Sequence, residues 1–213
     1  MATSSPPRLR IGPEHAGRLM TYDDFIAAEW TEGCLYELAR GVVVVTEVPG
    51  INHGQIVKRV NEWFVIYDIR YRGRINYRAA GSDCRIRLPG MRSDRHPDQA
   101  VYLTPAPKGR RIWERWVPEI VVEVVSKRGE DRDYVEKREE YLRFGVAEYW
   151  IFDPMKRQLL VLTRAGNIWD EQVFGDGSIY QTNLLPGLDL QVGEILGPPV
   201  EPDEDEDVEV ADA

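Results

Sequence analysis

Six residues in the middle of the chain, Ile120-Val-Val-Glu-Val-Val125, constrain its fold more than any others, because all are aliphatic except Glu123. A short continuous apolar run reads as a strand buried on both faces. The glutamate inside it must be compensated. An ionised, unpaired carboxylate in a low-dielectric interior costs several kcal/mol, and a raised pKa, a cationic partner or a bound metal are the remedies. A second acid, Asp98, follows Pro97 and opens another apolar run, Ala100-Val-Tyr-Leu103. A cation held between two such strand ends satisfies both acids, and a lysine, Lys137, follows on the next helix. Two strand carboxylates and a helix lysine form the inventory of a metal-dependent nuclease.

The length of 213 residues suits one domain with a sizeable core. Met1 to Gly17 is rich in Ser, Pro and Arg without the apolar core of a secretory signal, and no run reaches membrane-spanning length. A cytoplasmic protein is expected. Cys34 and Cys84 lie far apart, so neither a zinc knuckle nor a disulfide framework is indicated. The net charge of -9 argues against a nucleic-acid partner only if it is spread evenly. Eight of the thirteen residues from Glu201 to Ala213 are acidic, which leaves about -1 for the rest.

Residues 1–18 and 197–213 read as disordered flanks and 19–196 as the folded domain. Thr21 is placed to cap a short helix with Asp23 and Asp24 in its first turn. Leu35–Ala39 and Val42–Val48 flank the two-residue connection Arg40-Gly41, a hairpin signal. Asn52 is expected to cap a helix whose stripe, His53, Ile56, Val57, Val60, Phe64 and Tyr67, lies on the sheet. Ile75 to Leu88 turns to strands, Gly90 to His96 reads as a polar loop, and Thr104 to Val117 as a basic loop with interleaved Trp113 and Trp116. A helix is expected from about Asp131 to Phe144, with Gly145 at its C-terminal cap. Glu148–Phe152 and Leu159–Thr163 pair as strands across 153–157, and the remaining segments are short.

These segments resemble the Uma2 family of bacterial endonuclease candidates, assigned to the PD-(D/E)XK nuclease fold. The matching pieces are Tyr36-Glu37-Leu-Ala-Arg-Gly41, His53-Gly54, Pro97-Asp98, Glu119 to Ser126, Lys137-Arg-Glu-Glu-Tyr141 and Gly145 to Pro154. The resemblance implies an α/β, restriction-endonuclease-like core with a mixed central sheet flanked by helices. It implies hydrolysis of DNA phosphodiester bonds with Mg²⁺ or Mn²⁺, no organic cofactor, and action as a homodimer. Hard divalent ions lower the pKa of a bound water and neutralise charge on phosphorus, and magnesium needs few protein ligands. Asp98, Glu123 and the carbonyl of Val124 are the expected metal ligands. Asp98, Glu123, Lys137, Glu37 and His53 are the expected catalytic set.

In this fold the lysine stands two residues after the strand acid, but here that position is Val125. The resemblance assigns its role to Lys137. Periodicity places Arg138 nearer the middle of the apolar face marked by Tyr134, Val135, Tyr141, Leu142 and Phe144, which makes Arg138 a salt-bridge partner for a buried acid. Other readings stand beside these. Asp98 caps a turn, Glu123 pairs with a buried arginine, Lys137 is solvated near Asp133, and Glu37 is an exposed strand residue. His53 packs on the stripe, held neutral by the helix dipole, and His96 serves as an outer ligand. Arg70 to Arg95 carries eight arginines against Asp83 and Asp94, either facing phosphate or wetting a hairpin. The basic loop, with Lys108, Arg110, Arg111 and Arg115, either touches nucleic acid or packs its tryptophans on the sheet edge. A catalytically inactive nucleic-acid- or protein-binding module on the same fold is the alternative function, and Val125 is its support.

Overall fold

The computed structural model describes residues 9–47, 50–81, 84–126 and 129–199. The N-terminal part runs through β1 (Arg10–Ile11), α1 (Tyr22–Ala27), β2 (Glu29–Trp30), β3 (Cys34–Ala39), β4 (Val42–Glu47) and the long helix α2 (Ile51–Arg70). The middle holds β5 (Tyr77–Ala80), β6 (Ile86–Leu88), β7 (Ser93–Arg95), β8 (Gln99–Tyr102) and β9 (Ile120–Val124). A π-helical turn, Arg132–Glu136, then leads into α3 (Lys137–Phe144). The chain continues with β10 (Glu148–Asp153), β11 (Gln158–Ala165), β12 (Ile168–Gly175), β13 (Ile179–Gln181), β14 (Asp189–Gln191) and α4 (Val192–Leu196).

A six-stranded sheet, ordered β12-β11-β10-β9-β8-β5, forms the centre, and β4-β3-β7-β6 form a second, four-stranded sheet. Only β9 and β10 run parallel in the large sheet, joined by the segment that contains α3, so the sheet is mixed. Strand alternation sorts the aliphatic run of β9 between two layers. Ile120, Val122 and Val124 pack with Ile56, Val60, Phe64 and Tyr67 of α2 and with Trp150 of β10, whose ring stacks on Phe64 at 5.7 Å. Val121 and Val125 pack on the other side with Tyr141, Tyr149 and Ile151, and with Ile86 and Leu88 of the small sheet. Glu123, between Val121 and Val125, therefore faces the layer occupied by α3.

Several local expectations hold for stated reasons. Thr21 caps α1, its hydroxyl accepting the Asp24 N–H at 3.1 Å. The β3–β4 register pairs Ala39 with Val42, leaving Arg40 and Gly41 as the turn with positive φ at both, the backbone that matches strand twist. Gly145 ends α3 in the left-handed conformation. Others are corrected. Gly50, not Asn52, is the N-terminal cap of α2, and Asn52 lies inside its first turn. Val135 is 63% exposed because the π-helical turn rotates it away from the sheet. Strand β12, eight residues long, exceeds the short segments expected there. The flank read as 1–18 is in part folded, since β1 pairs with β2 and Ile11 is wholly buried. Residues 1–8 of that flank and 200–213 of the acidic tail lie outside the described residues.

The largest correction concerns the expected polar loop at 90–96. It contains β7, whose residues are all buried, including Arg95 at 0% exposure. The Arg95 guanidinium donates to both oxygens of Glu140, Nε at 2.7 Å and Nη2 at 3.0 Å, to Glu37 at 3.2 Å and to Glu136 at 3.1 Å. Ser93 adds a hydroxyl bond to Glu140 at 3.0 Å, and the His96 N–H reaches Glu37 at 2.9 Å. One cation thus ties the small sheet to the helix that covers the large one. Burial alone would raise the Glu37 pKa, but Lys137, Arg95 and the His96 N–H outweigh it and hold it at about 2.

Two outcomes follow. Arg95→Met leaves Glu140 and Glu37 buried without this cation and should cost about 3–5 kcal/mol in urea unfolding; a loss below about 1 kcal/mol, the range of a surface pair, would show that the ion cluster is not a fold determinant. The depressed pKa of Glu37 contributes stability that is complete above its ordinary value of 4.5 and is lost as pH falls through about 2. Glu37→Gln should remove about 3 kcal/mol of the acid-dependent stability loss, read by comparing unfolding of the two proteins across that window; identical pH slopes would contradict it.

Candidate active site

The register between β8 and β9 pairs Gln99 with Val122, so Asp98 and Glu123 stand one step beyond, on adjacent strands. Asp98 Oδ2 accepts the Val124 N–H at 2.7 Å and lies 3.2 Å from His53 Nε2. Glu123, 3% exposed, accepts the Tyr141 hydroxyl at 2.9 Å and meets the Lys137 ammonium at 2.9 Å, both through Oε1. Lys137, on the first turn of α3, is itself buried. It also contacts Asp133 at 2.9 Å and approaches Glu37 at 4.0 Å.

The structure thus brings Asp98, Glu123, Lys137, Glu37 and His53 into one neighbourhood. Of the two basic side chains that begin α3, Lys137 is the one turned towards the sheet. Arg138, expected to pair with a buried acid, instead bonds the half-exposed Glu171, and Arg95 is the arginine that serves the buried acids. Glu37 is not an exposed strand residue. For His53, burial alone would lower the pKa, but the hydrogen bond and charge of Asp98 outweigh it and raise it. His96 contributes its backbone N–H to Glu37, while its ring, with Nε2 buried and unbonded among the described residues, is pushed towards the neutral form by burial.

Asp133 belongs to this cluster, and sequence reasoning treated it only as a neighbour of Lys137. Its position four residues before a buried lysine was the available signal. The π-helical turn contains it, and the Lys137 N–H there reaches back to the Arg132 carbonyl. Glu140 and Arg95 were also missed, because nothing in a short polar stretch marks a fully buried arginine.

Electrostatically the cluster has more carboxylates than cations. Four acids, Glu37, Asp98, Glu123 and Asp133, act on Lys137 or on one another. Burial, then Asp133, Asp98 and Glu37, raise the Glu123 pKa well above its usual range, against the pull of Lys137. Burial likewise raises Asp133. Burial would lower Lys137, but Asp133, Glu123 and Glu37 overcome it and keep the ammonium charged. Arg95 serves Glu37 and His53 stands beside Asp98, so Glu123 and Asp133 share the one Lys137 ammonium in a buried site.

That surplus of negative charge is the property that fits a divalent cation. Among the described residues no three His, Cys, Asp or Glu side chains converge as a ready-made cage. Magnesium does not require one, since it binds through one or two carboxylates and keeps several waters. The hydrogen bonds found on Asp98 and Glu123 fall on one oxygen of each, Oδ2 and Oε1, which leaves Oδ1 and Oε2 as the donors suited to a hard ion. The Val124 carbonyl lies close enough to His53 to raise its pKa, on the same side as Asp98.

The basic loop packs its tryptophans as the sheet-edge reading expected. Trp113 and Trp116 cluster with Tyr77 and Tyr102, and the Trp116 indole bonds the Thr104 carbonyl at 3.1 Å. The arginines between Arg70 and Arg95 do not share one role: Arg95 is buried, Arg85 is bound to Asp94 and Arg78 to Asn61. Among the described residues no helix is long and apolar enough to cross a membrane.

Comparison with known proteins agrees with this geometry. A crystal structure from Anabaena variabilis, described as "a putative nuclease belonging to DUF820", superposes with a TM-score of 0.68 at 17% identity, covering 83% of this chain and 97% of that one. The likeness shows a restriction-endonuclease-like fold. No curated protein matches the chain. Residues 22–193 match the Uma2 family, described as "Putative restriction endonuclease". The chain belongs to the Uma2 family.

Proposed function

We propose that this protein is a divalent-metal-dependent DNA endonuclease in which Lys137 supplies, from a helix, the ammonium that related folds carry on the strand. The observation that carries the reading is the buried Lys137 ammonium 2.9 Å from Glu123, with Asp98 on the adjacent strand. Asp98, Glu123 and the Val124 carbonyl would hold Mg²⁺ or Mn²⁺, which activates water and offsets charge developing on phosphorus. Lys137 orients the nucleophile and stabilises the charged transition state. Asp133 keeps a second contact on the ammonium, so Lys137 remains anchored when Glu123 turns its charge elsewhere. Glu37 bridges Lys137 and Arg95 and fixes the helix register. His53 stands beside Asp98 as a proton donor.

A buried Glu123 calls for the Lys137 ammonium in either case, and what favours an enzyme over an inactive binding module is that Asp98 stands on the adjacent strand beside the same acid. Plasmid DNA incubated with Mg²⁺ or Mn²⁺ should be nicked or linearised. Asp98→Asn and Glu123→Gln should abolish cleavage, and Lys137→Met should lower its rate by about 10²–10³-fold, the usual scale for a removed transition-state donor. Cleavage that survives both acid substitutions refutes the assignment; a wild type that neither cleaves nor binds Mn²⁺ in a calorimetric titration would favour the binding module, which has no reason to retain a carboxylate-dependent metal site.

A further inference from the structure

The site does not account for a corner of the large sheet where positive charge is concentrated. Strand β5 is the edge of that sheet, and Tyr77 at its start pairs with Tyr102 at the end of β8. The same register brings the segment leading out of α2, with Arg70, Arg72 and Arg74, beside the start of the loop that follows β8. That loop carries Lys108, Arg110 and Arg111, and all six basic side chains are exposed. The folded part of the chain is close to neutral by sequence, so the concentration is local.

The loop is built rather than slack. The Arg115 guanidinium donates to the Lys108 carbonyl at 3.2 Å and to the Arg110 carbonyl at 3.0 Å, which closes the tip. Gly109 and Arg111 both take positive φ, a strained choice for arginine. The four-ring cluster of Tyr77, Tyr102, Trp113 and Trp116 supports the tip from below. Three acids stand near. Asp68 is half-buried in α2, Glu114 is engaged by the Tyr22 hydroxyl at 3.2 Å and faces Arg111 only at 3.7 Å, and Glu119 is occupied by the Leu103 N–H at 2.7 Å.

We infer that this corner is a docking surface for the phosphate backbone of double-stranded DNA. The choice of DNA rests on the nuclease reading above; the surface itself rests on the geometry of the corner. Phosphate contact, not base stacking, suits it, because the aromatic rings are occupied with one another: Tyr102 and Trp116 are buried, Trp113 is half-buried and Tyr77 is 38% exposed. Strand β8 runs from the Asp98 end of the sheet to this corner, a distance of about 13 Å at roughly 3.3 Å per residue. A duplex rises about 3.4 Å per base pair, so phosphates about four pairs from the acids would meet the corner. It would hold flanking DNA in register while taking no part in bond cleavage.

The test is fluorescence anisotropy of the full chain with a labelled duplex of about three helical turns, in EDTA so that binding is read without cleavage, across a salt series. Lys108→Ala/Arg110→Ala and Arg72→Ala/Arg74→Ala should each weaken binding about tenfold or more at low salt. Each double variant should also lower the slope of log affinity against log salt by about 2, close to one for every phosphate left without its cation. Lys58→Ala/Arg143→Ala, which removes exposed charge elsewhere, should leave the slope unchanged. Wild-type slopes in both corner variants, an equal loss in the control, tighter binding of single-stranded RNA, or no duplex binding by the wild type would each overturn the proposal. Plasmid cleavage tests the nuclease reading separately: binding without cleavage would leave the surface standing and remove the enzyme, and cleavage with unaltered slopes would do the reverse.

Discussion

A charged side chain in the wrong layer of a sheet is the constraint around which this protein is organised. Period-two alternation leaves Glu123 no choice but to face the interior between the large sheet and α3. Its neighbours on that face, Val121 and Val125, are packed into an apolar cluster. The helix that covers the cluster must therefore bring a cation and a hydroxyl donor with it, and it brings Lys137 and Tyr141. Each further acid drawn in by that lysine, Asp133 and Glu37, needs its own partner. The ion network then spreads until Arg95, on the second sheet, terminates it.

This propagation explains why two sheets and a helix are joined by polar bonds in a region where a purely apolar seam would be cheaper. Removing one member of a buried ionic group leaves its partner uncompensated, whereas replacing the whole group by well-packed apolar residues is often neutral or stabilising. On the proposed function the acids stay inside because a hard cation and a phosphodiester would need them, and the arginine stays because the acids need it.

The sequence disclosed the parts of this arrangement that obey a period. The apolar run around Glu123, the stripe on α2, the Arg40-Gly41 turn and the Gly145 stop all rest on local rules, and each is found. The assignment of Lys137 over Arg138 came from resemblance, since spacing favoured Arg138. The π-helical turn before α3 lies outside the regular helical period on which that spacing rested, and it also carries Val135 into solvent. Arg95 was illegible for a different reason. Ser93-Asp94-Arg95 carries no apolar signal, so it read as a loop, and only tertiary contacts reveal that its side chains are satisfied by acids distant in sequence. The dipole argument for His53 left out the Asp98 carboxylate 3.2 Å from its ring, which acts in the opposite sense.

An amine carried by the helix instead of the strand, as the proposed function has it, has a consequence for how such a protein tolerates change. Val125 is free to fill the hydrophobic layer with Tyr141 and Tyr149, so the sheet gains packing where related folds carry a polar group. The ammonium, in exchange, belongs to a separate unit of secondary structure, and its position is inherited from how firmly that unit is seated. On the proposed function, drift in the seating of the crossover would silence chemistry while every acid on the strands stayed in place, so the guanidinium tether on the far sheet would guard turnover as well as the fold.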